Sequence, residues 1–242
     1  MQQRYLGDVH DFIKLLYLKI LSKKLEMVIG LNWYLVKTEV LGNAEEKLND
    51  GEKRDFLKSN YFQSLDKQIF RELNTFRNRQ RREINQFTKT THLKKHINFF
   101  NKNISLTDRK KWLDNSVLHF KNNDIIFLDA DNGLSPKSIR LGSKKSLKYV
   151  NPDELLYLYS HNKTIIFTQF QSYNLTHKVY LKNKTDLIKN TIALDVNCPI
   201  IRNRTSPNTF FITIAQEKYK NSLKKINYEF VKQHNFCEIV NY

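Results

Sequence analysis

Cysteine is nearly missing from this chain, with only Cys198 and Cys237 in 242 residues. Two thiols without a Cys-x-x-Cys spacing argue against a disulfide framework or a thiolate metal site and are expected to be packing residues. Glycine (6) and proline (4) are scarce beside abundant Asn and Lys, a composition bias that also adds to the positive charge. Acids are outnumbered, 24 Asp and Glu against 41 Lys and Arg. No apolar run approaches the roughly 20 residues needed to cross a bilayer. The start Met1-Gln-Gln-Arg-Tyr-Leu-Gly-Asp8 lacks a basic-then-apolar signal, so an intracellular, cytoplasmic chain without a membrane partner is expected. No GxSxG, HExxH, P-loop or zinc-knuckle spacing occurs, and neither an internal repeat nor a heptad pattern is present.

What is present is enough for one sizeable core: 40% hydrophobic and 12% aromatic residues in a 29.0 kDa chain. The formal charge of +17 exceeds what solubility needs, and a polyanionic partner is the simplest explanation, with DNA or RNA the first candidate.

Along the chain, apolar spacings of three and four from Tyr5 to Leu25 predict a helix beginning near Asp8, which is placed to act as its N-cap. Asp8 and Asp11, three apart, share a face of the first turn. Met27 to Val36 reads as a central strand. Thr38 to Asp55 reads as a solvated loop, or a lid. From Asp55 to about Lys111 the spacing is helical, running into Arg77-Asn-Arg79-Gln-Arg81-Arg82. Four arginines in six residues would spread round more than half of a helix, and with the lysines that follow they predict a phosphate-facing surface. Residues 99–115, with Ser105 to Asp108 and then Arg109 to Trp112, read as a short capped helix ahead of the next strand. Pro152 with Asp153 and Glu154 marks another helix start. Thr164 to Phe170 is a buried-type strand, Thr176 to Ala193 a helix, Asn208 to Ala215 a strand, Glu217 to His234 a helix and Phe236 to Val240 a last short strand.

The chemistry concentrates at Asp124-Ile-Ile-Phe-Leu-Asp-Ala-Asp-Asn-Gly-Leu134. Ile125 to Leu128 is continuously apolar and so reads as a strand covered on both faces. Its carboxyl end delivers Asp129 and Asp131, where open α/β sheets place their ligands. Asp131 is expected in the turn beyond the strand, where both carboxylates could reach one ion. A divalent ion there, Mg²⁺ or Mn²⁺, would need a third acid, with Asp8, Asp11 and Asp153 the candidates. Beyond the pair, Ser135 to Val150 carries Lys137, Arg140, Lys144, Lys145 and Lys148 without an acid. Carboxylates for a metal beside lysines for phosphates suit a phosphodiester-handling site. His10 and His161 are weaker candidates for general bases. Phe99, Phe100, Tyr149 and Tyr173 are either core or base-stacking residues.

The order of elements, closing on strand, helix, strand, resembles the class I methyltransferase fold, whose last strand runs antiparallel to the rest. Gly7-Asp8-Val-His-Asp11-Phe-Ile-Lys14 ahead of a first strand, with a carboxylate ending a later one, resembles adenine-N6 RNA methyltransferases of the RlmJ type. That resemblance implies S-adenosylmethionine as cofactor, Asp129 as the contact to a target amine, and Asp8, Asp11 and Lys14 as site residues. Where the family has Asp-Pro-Pro-Tyr, this chain has Asp129-Ala130-Asp131-Asn132, and Trp33 to Lys37 contains no glycine. The Asp129-x-Asp131 pair is also similar to those of metal-dependent phosphoryl-transfer enzymes, including the Toprim type.

The expectation is therefore one α/β domain over residues 1–242, a three-layer Rossmann-like fold with a mainly parallel sheet and a helical basic insertion over 52–115. The expected function is a divalent-metal-dependent nuclease or phosphodiesterase. Asp129 and Asp131 would bind the metal, helped by Asp8, Asp11 and Lys14. Arg77, Arg79, Arg81, Arg82, Lys137, Lys144, Lys145 and Lys148 would hold the nucleic acid. The alternatives are a nucleic-acid methyltransferase and a non-catalytic nucleic-acid-binding module.

Overall fold

The computed structural model describes residues 1–42, 53–205 and 207–241. Helix α1 (Val9–Leu25) leads into β1 (Ile29–Asn32), followed by the single turn α2 (Thr38–Leu41), α3 (Asn60–Leu65), α4 (Lys67–Asn74), α5 (Ile84–Thr90), β2 (Ile97–Phe100), α6 (Arg109–His119) and β3 (Ile125–Leu128). Then come α7 (Pro152–Ser160), β4 (Thr164–Phe170), α8 (His177–Ile192), β5 (Ile200–Asn203), β6 (Thr209–Ile214), α9 (Glu217–Gln233) and β7 (Cys237–Val240).

All seven strands belong to one sheet, in the order β2-β1-β3-β4-β6-β5-β7. Strands β2, β1, β3 and β4 pair in parallel, β6 runs against β4 and β5, and β7 runs against β5. Five strands thus share one direction, with only β6 and β7 reversed. Side chains alternate across the pleat. Ile125 and Phe127 of β3 pack in one core with α1 and with Leu223, Ile226 and Phe230 of α9. Ile126 and Leu128 pack in the other core, with Trp112 and Leu113 of α6, Leu155 and Leu158 of α7 and Leu181 and Ile188 of α8. Helices cover both faces, which makes a three-layer Rossmann-like α/β fold and explains why β3 is apolar at every position.

Several boundaries follow local chemistry. Asp8 caps α1, its side chain accepting from Asp11 N. Asn151 and Glu154 form a capping box at α7, with Pro152 in its first turn. Thr176 caps α8.

Residues 52–115 are not a helical insertion throughout. Ile97-Asn-Phe-Phe100 is the edge strand β2, parallel to β1, so this stretch supplies part of the sheet. A four-residue apolar run fits strand and helix periods equally, and pairing with β1 decides it. The arginine cluster lies between α4 and α5, with Arg79–Arg81 in a single tight turn, instead of prolonging a helix. Strand β5 had no expectation in the sequence. The loop or lid expected over Thr38 to Asp55 falls partly on 43–52, outside the described residues. Cys198 and Cys237 are buried and free. Among the described residues no helix is long and apolar enough to cross a membrane.

Candidate functional site

Strand β1 has β2 on one side and β3 on the other. The chain leaves β1 in one direction and later returns past it, which is the switch point where open α/β sheets bind ligands beyond the strands' carboxyl ends. A cavity of about 300 Å³ opens there. It is lined by the amino-terminal segment and first turns of α1, by the Asp129 to Asn132 turn, and by the carboxyl end of β4 with the start of β6.

The turn beyond β3 is fixed from two sides. Asp129 N donates to Asn32 O at 2.9 Å. Gln169 of β4 accepts from Leu134 N through Oε1 at 2.8 Å and donates through Nε2 to Asn132 O at 3.0 Å. Gly133, at φ +76, lies so close to β4 that a Cβ would stand 2.6 Å from Gln169 Oε1 and 2.8 Å from Thr168 O. Only glycine meets both demands. Asp131 therefore lies beyond the strand, and both carboxylates line the cavity.

The two carboxylates have different partners. Lys14 Nζ lies 2.5 Å from Asp129 Oδ2 and 2.7 Å from Asp11 Oδ1, and all three side chains are buried. Asp11 Oδ2 accepts from Gly7 N at 2.8 Å. Asp131 instead accepts from Gln2 N (3.1 Å) and Gln2 Nε2 (3.0 Å), with the Met1 nitrogen 3.5 Å away. The cation beside Asp129 is thus Lys14, and no group of three His, Cys, Asp or Glu side chains suited to a metal forms among the described residues. Asp153 is exposed at the start of α7 and does not line the cavity.

These contacts set protonation. Burial alone would lower the Lys14 ammonium, but Asp11 and Asp129 outweigh it and raise it above its usual value. Burial, and then the neighbouring Asp11, push the Asp8 carboxyl well above the normal carboxylate range. Burial also raises Asp129, with Lys14 opposing. His10 lines the cavity with its ring edge-on to Phe170 (centroids 5.4 Å apart). Neither of its ring nitrogens has a hydrogen-bond partner and both are buried. Burial lowers its pKa to about 4, so the ring is neutral near pH 7. His161 lies away from this site, bonded to Tyr157 O at the end of α7.

The basic residues divide. Lys148 lines the cavity, and Asn132 N donates to its carbonyl at 2.9 Å. Lys144 and Lys145 lie in the same short turn, exposed, as is Lys137. Arg77 and Arg81 are exposed, while the Arg79 side chain lies outside what is described. Arg82 departs from its expected role. It is only 7% exposed and donates to the carbonyls of Phe76, Arg77 and Arg4, so it ties the chain together instead of meeting phosphates.

Of the four candidate stacking aromatics, Phe100 is core, Phe99 stacks on Trp33, and Tyr149 is half-buried and does not line the cavity. Tyr173 lines the cavity while 72% exposed. Gln2, Thr168, Gln169 and Phe170 were not foreseen, because no local pattern marks residues that reach the site from opposite ends of the chain.

No family model matches the chain, and no curated protein or solved structure gives a significant match.

Proposed function

We propose that the protein is a nucleic-acid-processing enzyme that holds a sugar-phosphate chain on its basic surface and takes one base, with its sugar, into the cavity at the ends of β1, β3 and β4. The observation that carries this reading is a cluster of carboxyl groups inside a basic protein. The chain bears +17 overall, yet four carboxyl groups, Asp8, Asp11, Asp129 and Asp131, line the cavity against the lysines Lys14 and Lys148. A floor of carboxyl groups offers acceptors to hydrogen-bond donors, whereas lysines and arginines outside it attract phosphate. A nucleic acid with its backbone outside and a base inside meets both conditions, in the manner of enzymes that take a base out of the stack. Lys148 lines the cavity, Lys144 and Lys145 share its short turn, and Tyr173 offers a face for stacking.

The expected metal-dependent phosphodiester cleavage is less well served. Mg²⁺ or Mn²⁺ at Asp129 would compete with Lys14, already at hydrogen-bond distance. S-adenosylmethionine is less well served too. Trp33 and Tyr34 after β1 are fully buried, and the Met1 nitrogen donates to both of their carbonyls.

The test is anisotropy of labelled single-stranded DNA and RNA over a salt series in EDTA. The expected outcome is binding that weakens steeply with salt, with a slope reduced by about two to three for the Lys144→Ala/Lys145→Ala/Lys148→Ala triple variant. Absence of salt-dependent binding by the wild type would sink the reading.

A further inference from the structure

We propose that the cavity hydrolyses an N-glycosidic bond, with Asp8 as the acid that protonates the departing base and Asp129 as the carboxylate that receives the proton of the attacking water. This rests on the reading above and adds its reaction class.

Breaking the bond between a base and sugar C1′ leaves the sugar cationic in the transition state, and carboxylates flanking the reacting bond are the usual means of stabilising an oxocarbenium-like centre. A carboxyl-lined cavity inside a basic protein attracts the strand and then stabilises a cation. The two carboxyls also occupy unlike surroundings. Asp8 Oδ1 accepts from Asp11 N, which leaves Oδ2 to carry a proton. Asp129 Oδ2 is held by Lys14, whose ammonium favours the charged carboxylate, and this leaves Oδ1, near the Thr168 hydroxyl at 3.4 Å, to meet water. Carboxyls with unlike partners divide into acid and base in this way. Burial, and then the neighbouring Asp11, raise the Asp8 carboxyl, which supports the assignment.

His10 is an independent sign that a ligand belongs here. Two buried ring nitrogens without partners, in a residue lining the cavity, are a deficit that a bound molecule removes. A neutral imidazole offers one donor and one acceptor, suited to a base edge or a sugar hydroxyl.

The step balances with water alone. Water oxygen bonds to C1′ as the C1′–N bond breaks, and the bonding pair passes to the base nitrogen, which takes the Asp8 proton. The water proton passes to Asp129 Oδ1, and exchange with solvent restores both groups. The products are a free base and a strand carrying a hydroxyl at C1′.

The experiment incubates the wild type in EDTA with single strands of mixed sequence, DNA and RNA, with and without 7-methylguanine, and quantifies free base by chromatography. The wild type is expected to release bases from both. Asp8→Asn keeps a good helix cap and, once its melting curve confirms folding, is expected to lose release of ordinary bases by about 100-fold or more. It is expected to retain release of 7-methylguanine within about tenfold, because that base is already cationic and leaves without a proton. Asp129→Asn is expected to lose both. Equal loss on both substrates in Asp8→Asn overturns its role as the acid. Strand binding without base release overturns the hydrolysis while leaving the binding reading intact. Strand shortening seen only with Mn²⁺ overturns it in favour of phosphodiester cleavage. Failure to bind either strand removes both proposals.

Discussion

Lys14 Nζ stands between Asp11 Oδ1 at 2.7 Å and Asp129 Oδ2 at 2.5 Å, joining the first helix to the end of β3 across 115 positions of sequence. One ammonium serves two buried carboxylates, so its removal takes from both the cation they are bonded to. Lys14→Met is expected to destabilise the fold by about 3–5 kcal/mol, measured by urea unfolding. Adding Asp129→Asn should recover part of that loss, since one uncompensated charge disappears. Strict additivity of the two changes would show that the pair is not coupled.

Gly133→Ala tests the turn that delivers Asp131. The new Cβ would meet both Gln169 Oε1 and the Thr168 carbonyl at a positive φ. The expected cost is about 1–3 kcal/mol. Strand affinity should fall too, because the turn must move away from β4. A melting temperature within experimental error of wild type would refute this account.

The imidazole of His10 should titrate near pH 4, followed by its ring resonances. Asp11 favours its charged form and Lys14 opposes it, but burial dominates. The folded pKa lies below the ordinary 6.5, so the folded state binds fewer protons between those values. Its contribution to stability is therefore complete above about pH 6.5 and is lost as pH falls towards 4. Asp8, with a raised pKa, acts oppositely and loses its contribution as pH rises from 3.8. The difference between wild type and His10→Phe isolates the imidazole, and the variant should lose less stability on acidification. A midpoint near 6.5 would contradict the buried, unpartnered ring.

Arg82 should separate from its neighbours in the arginine cluster. Arg82→Ala removes donors to three carbonyls and is expected to cost about 2–4 kcal/mol in thermal or urea unfolding. Arg77→Ala with Arg81→Ala should leave stability within about 0.5 kcal/mol and weaken strand binding at low salt. The reverse pattern would mean that the exposed arginines are not part of the nucleic-acid surface.

What the sequence determined by itself was whatever local periodicity and capping encode. The four-residue apolar run Ile125 to Leu128 needs cover on both faces, and Asp8, Asn151 and Thr176 mark helix starts. The strands at Thr164 to Phe170 and Thr209 to Ile214 follow from their dense apolar and β-branched residues. Asp129 and Asp131 were legible as a strand end followed by a turn. Tertiary structure alone decided which strand Ile97 to Phe100 joins, that Ile200 to Asn203 pairs between two reversed neighbours, and that Arg82 faces carbonyls. It also decided that the cation facing Asp129 is Lys14 and that His10 enters the same cavity without a partner. Short strands carry too little periodicity to specify their neighbours. The partner of a buried charge is set by packing between segments far apart in the chain, where spacing along the sequence holds no record of distance.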